Sequence, residues 1–201
     1  MMTDNRGNPS FQLLLETTER LIRQKGCRST TMQDIMQETG LSKGAIYYYV
    51  KSKEELFGVL LHDKLVQMDA RFMEAARQSK GLEDPLSIIA QGQRGGHHEG
   101  EVVNRVLIYL LGQKDKPGIA ELLDRFHEAW LRTAAQWIEI GQRSGVIPAD
   151  MPARKTAELF TLLSYGMRMR NMMAGDPEEV LFTDRDFLEF MRTTLQGERN
   201  G

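Results

Sequence analysis

Residues 31–57, TMQDIMQETGLSKGAIYYYVKSKEELF, constrain the fold of this chain more tightly than any other stretch. Thr31 stands three residues before Asp34, which predicts an N-cap for a short helix running to about Glu38. Gly40 supplies the turn, where a left-handed backbone is often needed. Ser42 then caps a second short helix to about Val50. Ser52 with Glu55 makes a capping box that opens a long helix to about Ser79. Ile35, Leu41, Ile46 and Val50 have the spacing to form a small core between the two short helices. With Ile46 and Val50 inward, the helical step turns Gly44, Ala45, Tyr47 and Tyr48 outward.

That outward face is a poor design for a core and a good one for a nucleic-acid groove. Gly44 and Ala45 are small enough to let a backbone approach base edges, and Lys43 can reach a guanine or a phosphate. The tyrosines offer flat rings to thymine methyl groups and hydroxyls to phosphate oxygens, and the helix starts add backbone donors. Charge agrees. The whole chain carries a net −2, yet Arg20 to Lys53 holds seven Lys or Arg against Asp34 and Glu38. Residues 54–201 hold 18 basic and 23 acidic side chains. A small basic head on a mildly acidic body implies a polyanion partner at one end only.

The rest of the chain has helical spacing throughout and no clean strand alternation. Phe11, Leu14, Leu15, Leu21 and Ile22 form an apolar stripe ending at Gly26. Later helices are separated by GGHHEGE at 95–101, KDKPG at 114–118, SGVIPADMP at 144–152 and AGDPEE at 174–179. Leu122, Leu123, Phe126, Trp130, Ala134 and Trp137 repeat at threes and fours from Ile119 to about Gly141. The prediction is an all-α chain of roughly nine helices. A single cysteine, Cys27, allows no internal disulfide and suits a reducing cytoplasm. The N-terminus has no signal-peptide core, and no apolar run reaches membrane-spanning length, so a soluble cytoplasmic protein is expected.

The segment resembles the DNA-binding domain of the tetracycline-repressor (TetR) family of bacterial regulators. The resemblance rests on Thr31, Asp34-Ile35, Gly40, Ser42-Lys43-Gly44, Ala45, Ile46, Tyr47, Tyr48-Tyr49 and Ser52-Lys53-Glu54, over about 45 residues. Three positions depart from the common pattern: Met36 for alanine, Cys27 for an aromatic and Val50 for phenylalanine. The resemblance implies a three-helix helix-turn-helix domain over residues 1–52 and a helical effector-binding and dimerisation domain over 53–201. By position it implies DNA contacts at Thr31, Gln33, Lys43, Ala45, Tyr47, Tyr48, Tyr49 and Lys53. The function it implies is a ligand-responsive homodimeric repressor on a palindromic operator, with an activator or a ligand-independent DNA-binding protein as the alternative.

For the effector, twelve methionines and an aromatic stripe point to a largely apolar molecule. Tyr109, Phe126, Trp130, Tyr165 and Met169 are the candidate lining residues. Dimerisation is expected through Ala157 to Met173 with Phe187, Leu188, Met191 and Leu195. His97-His98-Glu99 lacks a neighbouring Cys or Asp to complete a metal site and reads as a solvated loop. No nucleophile elbow, phosphate loop or paired metal ligands occur, so neither an enzyme nor a cofactor is expected.

Overall fold

The computed structural model describes residues 7–79, 81–91, 98–173 and 181–197. Among these, the regular elements are nine α-helices. They are α1 (Pro9–Ser29), α2 (Met32–Thr39), α3 (Lys43–Tyr49), α4 (Lys53–Gln78), α5 (Glu83–Gln91), α6 (His98–Leu111), α7 (Ile119–Arg143), α8 (Ala153–Met173) and α9 (Asp184–Gln196). The chain divides into two compact units, Met1–Lys64 with Glu101–Phe126 and Leu65–Gly100 with His127–Gly201. Helices α4 and α7 each begin in the first unit and end in the second.

In the first unit the stripe of Phe11, Leu14, Leu15, Leu21 and Ile22 is buried, together with Ile35, Ile46, Val50, Leu56 and Phe57. Gly26 breaks α1 with φ 79° and ψ 165°, a region essentially restricted to glycine. The helix resumes because the Thr30 N–H and hydroxyl both donate to the Gly26 carbonyl oxygen, at 3.2 and 2.9 Å. In the second unit α5 packs on α9, and Leu86, Leu131, Ile138, Phe187, Met191 and Leu195 form the buried centre. Full burial of a side chain such as Phe187 or Met191 contributes about 1.5–3 kcal/mol.

Two expectations are corrected. Helix α6 starts at His98, so the second half of the 95–101 separator is helical; His97 and residues 174–179 lie outside the described residues. Phe187, Met191 and Leu195, assigned to a dimer face, are turned into their own unit instead. The repeat of α9 reveals an apolar face but not what covers it, and here the core of the same chain does.

Local capping carries the helix-turn-helix. The Thr31 hydroxyl oxygen accepts from the Asp34 N–H at 3.1 Å, and the Asp34 carboxylate accepts from the Thr31 N–H at 2.8 Å. Lys25 sits 2.7 Å from the same carboxylate. These hydrogen bonds hold the Asp34 carboxyl at about 2, with the Lys25 ammonium the largest cause. Gly40 closes α2 in the left-handed region, φ 67°, and its N–H donates to the Met36 carbonyl oxygen. Ser52 caps α4 by accepting from the Glu55 N–H at 3.0 Å, but the Glu55 carboxylate returns to the Lys51 N–H rather than to Ser52.

Two predictions follow from this chemistry. The folded-state pKa of Asp34 lies below its ordinary value, so its contribution is fully present above about pH 4 and fades as pH falls towards 2. Thermal melts of wild type and Asp34→Asn should therefore differ at pH 6 and converge as pH falls below 4. Gly40→Ala should cost about 1–2 kcal/mol because a side chain is strained at positive φ. Gly44→Ala, at a helical position where an added Cβ would meet only the Ser42 Oγ, at an ordinary contact distance of 4.0 Å, should be neutral or gain up to about 1 kcal/mol. Urea unfolding of the pair checks the contrast.

Candidate DNA interface and interior cavity

Helix α3 has seven residues, too few to persist in isolation. Its rotation is set by Ile46 and Val50, both buried, and its ends by two hydrogen bonds. The Ser42 hydroxyl accepts from the Ala45 N–H at 3.2 Å, and the Val50 N–H donates to the Ile46 carbonyl oxygen at 3.1 Å. Lys43, Gly44, Tyr47 and Tyr48 consequently face outward, with Tyr48 77% exposed, while Ala45 is half-buried. The Lys43 ammonium lies 5.7 Å from the Tyr47 ring centroid, a charge and an aromatic plate side by side. Tyr49 behaves differently. Its ring is 5.2 Å from that of Phe11 on α1, and it is half-buried.

The start of α2 adds Thr31 and Gln33, both exposed. Arg20 of α1 pairs with Glu38 of α2 at 2.9 Å, which ties the outer edges of the two helices. Thr31, Gln33, Lys43, Tyr47 and Tyr48 are thus exposed positions of this one unit.

Lys53 faces another way. Its ammonium donates to the carbonyl oxygens of Cys27 and Arg28 at 3.1 and 3.4 Å, where the C-terminal end of α1 concentrates negative potential. It also lies 5.0 Å from the Tyr109 ring centroid and 5.8 Å from that of Phe57. Partial burial lowers its pKa. Beside it the Tyr109 hydroxyl donates to the Glu54 carboxylate at 3.1 Å, and Lys116 lies 3.3 Å from the same oxygen. Burial, then the Glu54 charge, pushes the Tyr109 phenol up to about 12. Tyr109 thereby fastens α6 to the first turn of α4, a role its sequence position did not signal.

The second unit holds a partly open cavity of about 360 Å³. Its walls include Phe72, Leu86, Trp130, Trp137, Phe160 and Phe187, and no charged side chain lines it among the described residues. Phe72 and Trp137 stack at 4.4 Å with a 15° interplanar angle. The Trp137 indole N–H donates to Asp69 at 2.7 Å, which fixes the plate in place.

Of the five residues named for an effector, Trp130 lines this cavity. Tyr165 is hydrogen-bonded to His127 at 3.2 Å, Met169 is exposed, Phe126 is buried in the first unit, and Tyr109 is engaged with Glu54. Phe72, Phe160 and Thr161 join the wall without having been singled out, and Trp137, named in the stripe but not among the five, joins it too. Trp137 stands seven residues after Trp130 on one helix face, which was the available signal. Arg168, buried, lies over the Trp130 ring at 5.7 Å, and burial pushes its guanidinium down to about 10.

Comparison with known proteins agrees with the head in particular. The profile described as bacterial regulatory proteins, tetR family, matches residues 14–60. The transcriptional regulator YfiR of Bacillus subtilis (strain 168) is 41% identical over 188 residues, covering 92% of this chain and 91% of that protein. The regulator AcrR of Shigella flexneri is 30% identical over 204 residues, covering 92% and 84%. Among solved structures, a TetR-family regulator from Rhodococcus sp. superposes with a TM-score of 0.68 at 21% identity, covering 91% and 94%. These relatives are transcriptional regulators rather than enzymes, and this chain belongs to the TetR family of helix-turn-helix transcriptional regulators.

Proposed function

We propose that the chain is a homodimeric, ligand-responsive repressor acting in the cytoplasm, with residues 1–52 as its DNA-binding head and 53–201 as its effector and dimerisation domain. One observation carries the DNA reading: α3 buries Ile46 and Val50 and turns Lys43, Tyr47 and Tyr48 outward between capped ends. Lys43, Ala45, Tyr47 and Tyr48 enter the major groove, and Thr31, Gln33 and the α2 start hold phosphates. Tyr49 and Lys53 contribute mainly by fixing α3 and α4 against α1.

A dimer accounts for the exposed apolar residues of α8. Leu159, Leu162, Met169 and Met173 are all exposed, and with Gly166 they step by three and four along one face. Met173 is 76% exposed, an unusual setting for so many large apolar groups in one row. Phe190 of α9 extends the patch, its ring against that of Phe160 at 6.1 Å. A second copy presenting the same stripe covers it by two-fold symmetry, and the two heads then meet successive major grooves of a palindromic operator about 34–36 Å apart. Repression is the simplest outcome, since an occupied operator needs no further contact with polymerase.

The cavity is the effector site. Helix α4 contributes Phe72 and Ala76 to its wall, and the first turn of the same helix holds Lys53, Leu56 and Phe57. An effector that favours one placement of α4 changes operator affinity, and near-complete switching requires about 10⁴-fold preference between the two states.

The test is fluorescence anisotropy with duplex DNA from directly upstream of the gene. Wild type should bind tightly at physiological salt, and Lys43→Ala with Tyr47→Ala should lose about 10-fold or more. Equal binding by both proteins, collapsing as salt rises, would leave only nonspecific phosphate attraction. Sedimentation should show that Leu162→Glu converts a dimer into a monomer with an unchanged helical spectrum.

A further inference from the structure

The chemistry of the cavity wall narrows the effector beyond size and apolarity, on the reading just given that this cavity is the effector site. No Lys, Arg, His, Asp or Glu lines it among the described residues. A carboxylate entering it would lose hydration without gaining a charged partner, which costs far more than an apolar contact returns. The start of α5, whose Pro85 and Leu86 line the cavity, carries Glu83 and Asp84 in its first turn and so opposes an anion there.

Four hydroxyls line the cavity, those of Ser79, Ser144, Thr161 and Ser164, and three of them give their proton to a backbone carbonyl. The Thr161 hydroxyl donates to the Ala157 carbonyl oxygen at 2.8 Å, the Ser144 hydroxyl to that of Gly141 at 3.0 Å, and the Ser79 hydroxyl to that of Gly81 at 3.3 Å. The Trp137 indole N–H is given to Asp69. A hydroxyl has one proton, so each of these oxygens retains only lone pairs to offer. At these three positions the wall receives hydrogen bonds rather than giving them. Thr161, 2% exposed, is the most enclosed of the three. The stacked plate of Phe72 and Trp137 adds a flat wall, which favours a planar ring over a flexible chain.

We infer that the effector is an uncharged, largely apolar aromatic compound that donates one hydrogen bond, such as a phenol or a neutral N–H heterocycle, to the oxygen of Thr161. Carboxylates and acyl thioesters of anionic carriers are excluded by the same wall.

Titration calorimetry on the free protein at pH 7 with naphthalene, 2-naphthol, 2-naphthoate and dodecanoate tests this. The expected order places 2-naphthol about five-fold tighter than naphthalene, the worth of one net hydrogen bond. Binding of 2-naphthoate and dodecanoate should be at least ten-fold weaker than that of 2-naphthol. Thr161→Val, nearly isosteric, should erase the advantage of 2-naphthol over naphthalene. Ala134→Leu, which fills the cavity, should block every probe while its thermal midpoint reports that the chain is folded. Tighter binding of 2-naphthoate, lost in Arg168→Gln, would overturn the proposal in favour of an anion. An advantage of 2-naphthol that survives Thr161→Val would overturn it too. Operator release read in parallel separates the two levels. Release by dodecanoate but not by 2-naphthol leaves a sensor with a different ligand class. Probes that neither bind nor release DNA sink the effector site itself.

Discussion

The burial of Ile46 and Val50 is the interaction on which the rest of the head depends. Helix α3 is too short to fold by backbone hydrogen bonding alone, so these two side chains, packed in the same small core as Ile35 and the α1 stripe, choose both its existence and its rotation. A rotation by one residue would bury Tyr47 and expose an isoleucine. Every property of the outward face, from the Lys43 ammonium beside the Tyr47 ring to the room around Gly44, follows from that choice.

Polar contacts then fasten the neighbouring helices at their ends, where backbone groups are unpaired. The C-terminal carbonyls of α1 receive Lys53 at Cys27 and Arg28, and Arg105 reaches the Ile22 carbonyl oxygen at 3.4 Å. Glu54 gathers Tyr109 and Lys116 one residue along from Lys53. Cations on carbonyls and a carboxylate on a phenol make α6 part of the same compact unit as the first three helices, although more than forty residues separate it from them in sequence.

How much of this was legible beforehand depended on range. Caps and turns are local, so Thr31, Gly40, Ser42 and Ser52 could be read from neighbours within four residues, and the helices they start or end lie where the sequence put them. The nine-helix architecture followed from periodicity for the same reason. Which partner a face meets is not local. The stripe of α9 looked like a dimer face and is core, because α5 packs on it. Tyr109 looked like a ligand residue and is bonded to Glu54, 55 positions away. The cavity wall draws on α4, α5, α7, α8 and α9, so Trp130 could be named from its stripe while Phe72 and Thr161 could not.

The two tryptophans of this chain, Trp130 and Trp137, both line the cavity, and the head holds none. Excited at the long-wavelength edge of aromatic absorption, the chain emits from the cavity alone. The indole of Trp137, clamped between a carboxylate and a phenyl ring, sits in a fixed electric environment. Four of the five tyrosines, by contrast, belong to the first unit. Tryptophan emission thus belongs to the second unit alone, and in one unlabelled sample the loss of that unit's structure can be followed against the helical signal of the whole chain.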